Sequence, residues 1–178
     1  IMESAVTTVT YSGTTNAGVK YDSATAPTAA GTYTVTVSWK ETTNYTAGKA
    51  KPVAFTVEKA KLTKPTANGN TFTYTGSAQT YTPDDFDSDT MTISGNVQTN
   101  ADTYTVTVSV TDKYNYIWAD NTDTDIKFTF VIGKAEQSVN VTISGWTYGD
   151  TAKEYEVEGI MESADYTVNY SGDGYSAD

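Results

Sequence analysis

The chain of 178 residues carries a net charge of −11 at pH 7 and has no Cys and no His. Lacking Cys it has no disulfides, thiolates or zinc sites of the usual kind, and lacking His it has no Ser-His-Asp triad and no imidazole ligand. The acidic balance opposes binding to nucleic acid or to an anionic membrane surface, and no apolar run approaches the ~20 residues of a membrane span.

In chain order, Ile1-Met-Glu-Ser-Ala5 and Val9-Thr-Tyr-Ser-Gly13 come first, and both return near the end as Ile160-Met-Glu-Ser-Ala164 and Val168-Asn-Tyr-Ser-Gly172. The segment Thr14-Thr-Asn-Ala-Gly18 is a turn signal, a short strand is expected around Val19-Lys-Tyr21, and Ala26-Pro27 to Gly31 reads as a loop. Tyr33-Thr-Val-Thr-Val-Ser-Trp39 follows, with strict period-two alternation of apolar and Thr/Ser residues, the strongest strand signal in the chain. Asn44-Tyr45 and Ala47-Gly48 mark a turn, and Val53, Phe55 and Val57 alternate along a closing strand.

Lys59-Ala-Lys-Leu62 runs directly into a second module. Its elements are a strand at 71–75, an acidic loop at 81–90, a strand at 91–93 and a second central strand, Tyr104-Thr-Val-Thr-Val-Ser-Val110. Asn115-Tyr116 repeats Asn44-Tyr45, residues 118–125 form an inserted loop, and Ile126, Phe128, Phe130 and Ile132 face one way on a closing strand. Lys134-Ala135 opens a third module, with strands over 139–143 and 153–157 and a turn over 146–150. No stretch has the spacing of an amphipathic helix.

Because the central strand occurs twice in matching surroundings, the chain is a tandem repeat. The expected fold class is all-β: tandem small antiparallel β-sandwich modules, the end modules incomplete. The expected organisation is A-B-A. Residues 1–58 are the C-terminal part of an A repeat, 59–133 a complete B repeat, and 134–178 the N-terminal part of a second A repeat. Lys-Ala joints without a Gly, Ser or Pro run imply a semi-rigid rod.

The stretches Trp146-Thr-Tyr-Gly-Asp150, Val-x-Tyr-Ser-Gly, Ala-Gly-Thr-Tyr-Thr-Val-Thr-Val and the closing Glu-Lys-Ala resemble MBG-type repeats. Such repeats resemble immunoglobulin-like modules and occur in long surface proteins of Gram-positive gut bacteria. The resemblance implies a stalk or adhesin segment on the outside of a bacterial cell, with no enzymatic activity and no cofactor. Its partners would be neighbouring repeats of the same chain, with no nucleic acid and no membrane insertion. Direct adhesion to a host glycan or protein through the B-module loops is the alternative, and a filament built from partial A modules is a third reading. No secretion signal or wall anchor is read, as expected of an internal fragment.

Four sets of side chains invite a sharper chemistry. Asp84, Asp85, Asp87 and Asp89, with Asp120, Asp123 and Asp125, supply oxygens that calcium favours, yet against an EF-hand loop Thr90 stands where Gly belongs and Asn96 where Glu belongs. Solvated turn aspartates are the preferred reading, and no metal site is assigned. Trp118, with Tyr114 and Tyr116, offers stacking faces for a sugar, but Tyr116 matches Tyr45 and suits a structural corner better. Glu154, Glu156 and Glu158 line one wet face of a strand, where nothing raises a pKa, so no catalytic residue is assigned. Lys20 or Lys127 would serve a Lys–Asn isopeptide crosslink only if buried.

Overall fold

The computed structural model describes residues 7–161 and 165–171. The repeated segments 1–5, 162–164 and Gly172 lie outside them. Among the described residues there is no helix, and the chain is all-β. Contacts divide it into two compact units, Ile1–Gly133 and Lys134–Asp178.

The first unit opens with a five-stranded antiparallel sheet. Its strands are β1 (Thr7–Thr15), β2 (Lys20–Ser23), β3 (Gly31–Trp39), β4 (Gly48–Lys49) and β5 (Val53–Val57). The central β3 pairs with β1 along its full length, Tyr33 opposite Gly13 and Val37 opposite Val9, and on its other edge with β5 and then β4. The alternation of β3 places Tyr33, Val35 and Val37 on one face. Tyr33 is buried, while Val35 and Val37 are half-buried and Trp39 is exposed. Gly13 is required because Tyr33 lies across it: a Cβ there would meet the Thr32 carbonyl oxygen and come within 2.7 Å of Tyr33 Cα.

The second sheet is built from residues 71–133. It contains β7 (Thr71–Thr73), β9 (Met91–Ser94), β11 (Asp102–Val110) and β13 (Ile126–Gly133) in the order β7-β13-β11-β9. Two short ribbons complete the region, β8 (Gln79–Thr80) with β10 (Val97–Gln98), and β6 (Ala60–Leu62) with β12 (Tyr116–Trp118). The core lies on one face of the four-stranded sheet. Tyr81, Val106, Phe130 and Ile132 form one buried cluster, and Met91, Val108, Val110 and Trp118 another. Tyr81 stacks on Phe130 with ring centroids 5.8 Å apart, and Phe72 meets the same ring edge-on at 5.2 Å. The opposite face carries exposed Thr105, Lys127 and Thr129, as period-two alternation dictates.

The two central strands have matching surroundings. Tyr33 pairs with Phe55 as Tyr104 pairs with Phe130, and Val37 faces Val9 as Val108 faces Ile93. Each tyrosine hydroxyl donates to the carbonyl four residues earlier, Tyr33 to Ala29 at 2.8 Å and Tyr104 to Asn100 at 2.9 Å. One departure has a clear cause. Asp102 replaces Gly31 because β9 ends opposite Thr107, whereas β1 runs on to Gly31, where a Cβ would lie 2.5 Å from the Thr14 oxygen.

Two pairings are not antiparallel. β12 runs parallel to β6, and β13 parallel to β7. Parallel pairs need a crossover between their strands, and here the intervening sheet provides it. Residues 116–118, expected as a turn and the start of an inserted loop, therefore form a strand, held because Trp118 is fully buried against Val108 and Val110.

The second unit contains an antiparallel hairpin, β14 (Asn140–Ile143) with β15 (Tyr155–Glu158), in which Val141 faces Val157 and Ile143 faces Tyr155. Thr147 and Asp150 close the turn between them through two hydrogen bonds. Val139, Val141, Ile143 and Trp146 are all exposed.

Candidate functional site at the junction of the two sheets

Side-chain hydrogen bonds cross the junction between residues 7–58 and 59–133. β5 ends at Val57 and β6 begins at Ala60, so Glu58 and Lys59 alone connect them. A connection of that length leaves little freedom, and hydrogen bonds remove more of it. The Ala60 N–H donates to the Asn115 carbonyl at 2.8 Å, and Lys59 Nζ donates to the Lys113 carbonyl at 2.6 Å. Asn16 Nδ2 donates to the Tyr114 carbonyl at 3.1 Å.

Asn115 is the centre of this arrangement. Its Oδ1 accepts from the N–H of buried Ala30 at 2.8 Å, and its Nδ2 donates to Asp112 Oδ2 at 2.6 Å. Asp112 Oδ1 also accepts from the Tyr114 N–H at 3.0 Å, which folds residues 112–116 into a tight corner. The Asn115 side chain, and the backbone groups beside it, hold the Asp112 carboxyl below the usual carboxylate range. The corner borders a shallow groove lined by Thr28, Ala29, Glu58, Asp112 and Tyr116. The arrangement offers no nucleophile beside a base. What it does is fix one sheet against the next, because the donors and acceptors on both sides are matched and partly withdrawn from water.

The residues singled out from sequence fall elsewhere or in other roles. Trp118 is fully buried, its Nε1 donating to the Thr124 carbonyl at 2.9 Å, so it is a core residue and not a sugar platform. Tyr114 is exposed and Tyr116 half-buried. Among the described residues no three acidic side chains are grouped to hold a metal. The acidic residues have other partners. Asp84 accepts from Asn68, and Asp87 accepts from Thr90 Oγ1 and the Asp89 N–H, closing its own turn. Asp120 is held to about 2 by hydrogen bonds from Lys64, 2.6 Å away, and Thr122. Asp125 is lowered by Ser109 first and then by Lys113 at 3.2 Å. Both ion pairs are exposed and add little to stability.

Glu154 is exposed ahead of β15, and Glu156 and Glu158 are exposed along it. Lys20 and Lys127 are exposed too, Lys20 donating to Thr14 Oγ1, so neither has the burial an isopeptide crosslink needs. Sequence reasoning marked Asn115 only as half of a repeated Asn-Tyr pair. The missed signal was Asp112 three residues before it, the spacing of an Asx-type corner. The chain matches no family model, no curated protein and no solved structure.

Proposed function

We propose that the chain is a structural spacer: tandem immunoglobulin-like β modules of the MBG type that project another part of a bacterial surface protein or adhesin away from the cell. The observation that supports it is the junction, where two residues of connection and the Asn115 clamp replace a flexible linker. A spacer works by length and stiffness, and a connection without slack transmits orientation from one module to the next. The Thr-rich outer face of β11 fits the same role, since it supplies strand propensity without an adhesive apolar patch.

Surface labelling tests the reading. An antibody raised against residues 59–133 is expected to stain intact, unpermeabilised cells of the source organism, and brief protease treatment of those cells to remove the signal. Staining that appears only after lysis would contradict it.

A further inference from the structure

In residues 59–133 the segment that brings the chain in and the segment that takes it out lie side by side and run the same way. Residues 60–73 follow the Glu58-Lys59 connection, and residues 116–133 lead out to Lys134. The two segments pair twice. β6 pairs with β12, Ala60 opposite Tyr116 and Leu62 opposite Trp118, and β7 pairs with β13, Thr71 opposite Val131 and Thr73 opposite Gly133. Both pairings are parallel, whereas the other pairings in residues 59–133 are antiparallel.

Strand direction decides how such a pair meets tension. A pull that enters at residue 58 and leaves at residue 134 draws the entering segment toward its N-terminus and the leaving segment toward its C-terminus. In a parallel pair those termini sit at opposite ends of the ladder, so the strands are made to slide and the evenly spaced bonds share the load. In an antiparallel hairpin they sit at the same end, and the bonds open one after another. The hairpin of β14 and β15 is that second case, with Asn140 opposite Glu158 at its open end.

The β7–β13 ladder is also reinforced at both ends. The Val131 N–H donates to the Asn70 carbonyl and the Tyr74 N–H to the Gly133 carbonyl, both at 2.8 Å, and Asn70 Nδ2 donates to the Thr129 carbonyl at 2.7 Å. Sliding drags Phe72 past the fully buried Phe130 ring, which it meets edge-on. At β6 the Ala60 N–H donates to the Asn115 carbonyl at 2.8 Å and the Ala119 N–H to the Leu62 carbonyl at 2.9 Å.

We propose that residues 59–133 are a mechanical clamp, a module that resists stretching along the chain because 60–73 must shear past 116–133. The principal resistance lies between 70–74 and 129–133. The inference deepens the spacer reading and takes the source of tension from it, while the resistance itself follows from the strand directions.

Optical tweezers on the full 178-residue chain test it. The chain has no Cys, so Glu58→Cys with Lys134→Cys gives two exposed attachment points that load the two segments in shear. Ser77→Cys with Lys134→Cys places both attachments beyond the C-terminal ends of β7 and β13, at one end of the ladder, and loads the same bonds in peeling. Forced unfolding reports the barrier and not the equilibrium stability, so the two geometries compare one fold under two directions of load. The shear pair is expected to unfold at a force at least about twice that of the peeling pair, because several bonds break together instead of singly. Adding Asn70→Ala should lower the shear force and leave the peeling force where it was. Equal forces in the two geometries, or a shear force unmoved by Asn70→Ala, would overturn the clamp. Surface labelling decides separately where the protein resides, so a failure of the clamp and a failure of the spacer reading are told apart.

Discussion

Four side chains show how individual atoms decide the behaviour of the first unit. The Tyr81 ring is fully buried in a stack on Phe130, but its hydroxyl has no hydrogen-bond partner among the described residues. A buried hydroxyl without a partner costs on the order of 1–3 kcal/mol. Tyr81→Phe keeps the ring and removes that group, so chemical denaturation is expected to show equal or higher stability, by up to about 1 kcal/mol. Trp118 is the opposite case, with a satisfied Nε1 and complete burial. Trp118→Ala should cost about 3–5 kcal/mol, read as a fall in the denaturation midpoint.

Asn115→Ala leaves the buried Ala30 N–H unpaired and Asp112 without its main donor, a loss of about 1–3 kcal/mol. Faster hydrogen exchange at Ala30, with exchange in the β11–β13 core unchanged, is the expected signature. Asp112 also sets a pH dependence. Its folded pKa lies below the unfolded value, so its contribution is complete above the ordinary carboxylate value near about 3.9 and fades as pH falls through the lower folded value. Exchange at Ala30 should be the same at pH 7 and pH 5.5 once the intrinsic rate is corrected, and should rise only below about pH 4.

Strands were legible from sequence wherever alternation ran long enough to be a pattern. β3, β11 and β13 each alternate over most of eight or nine residues, and the structure pairs them where those side chains require. β12 was not legible, because Tyr116-Ile-Trp118 has no alternation of exposure to read and owes its strand state to Trp118 reaching a core built by distant residues. The parallel partners β6 and β7 were hidden for the same reason, since three-residue strands acquire their direction from the sheet they join. The junction was half legible: the short Lys-Ala connection is visible in sequence, while the contact from Asn115 to Ala30 spans 85 positions and no local spacing announces it.

Gly13 tests the element scale. It was read as part of a repeated motif, and the structure supplies the reason in the Tyr33 ring and backbone lying across it. Gly13→Ala should destabilise residues 7–58 by about 1–3 kcal/mol through overpacking. Gly69, with open space around it, should tolerate Ala with no measurable change in melting temperature.

At the scale of the whole chain, no helix among the described residues is long and apolar enough to cross a membrane. What distinguishes the first unit is that two sheets of one pattern are joined without slack. Hydrogen bonds made by Asn16, Lys59 and Asn115 hold that joint. The proposed spacer role depends on that joint.

A distance distribution between two spin labels measures it directly. The chain has no Cys, so Thr32→Cys on the outer face of β3 and Thr105→Cys on the outer face of β11 give a unique labelled pair. A single narrow distribution is predicted for the otherwise unaltered chain, broadening when Asn115→Ala is added. A broad distribution before any change at Asn115 would show that residues 7–58 and 59–133 swing freely, and the rigid joint would be contradicted.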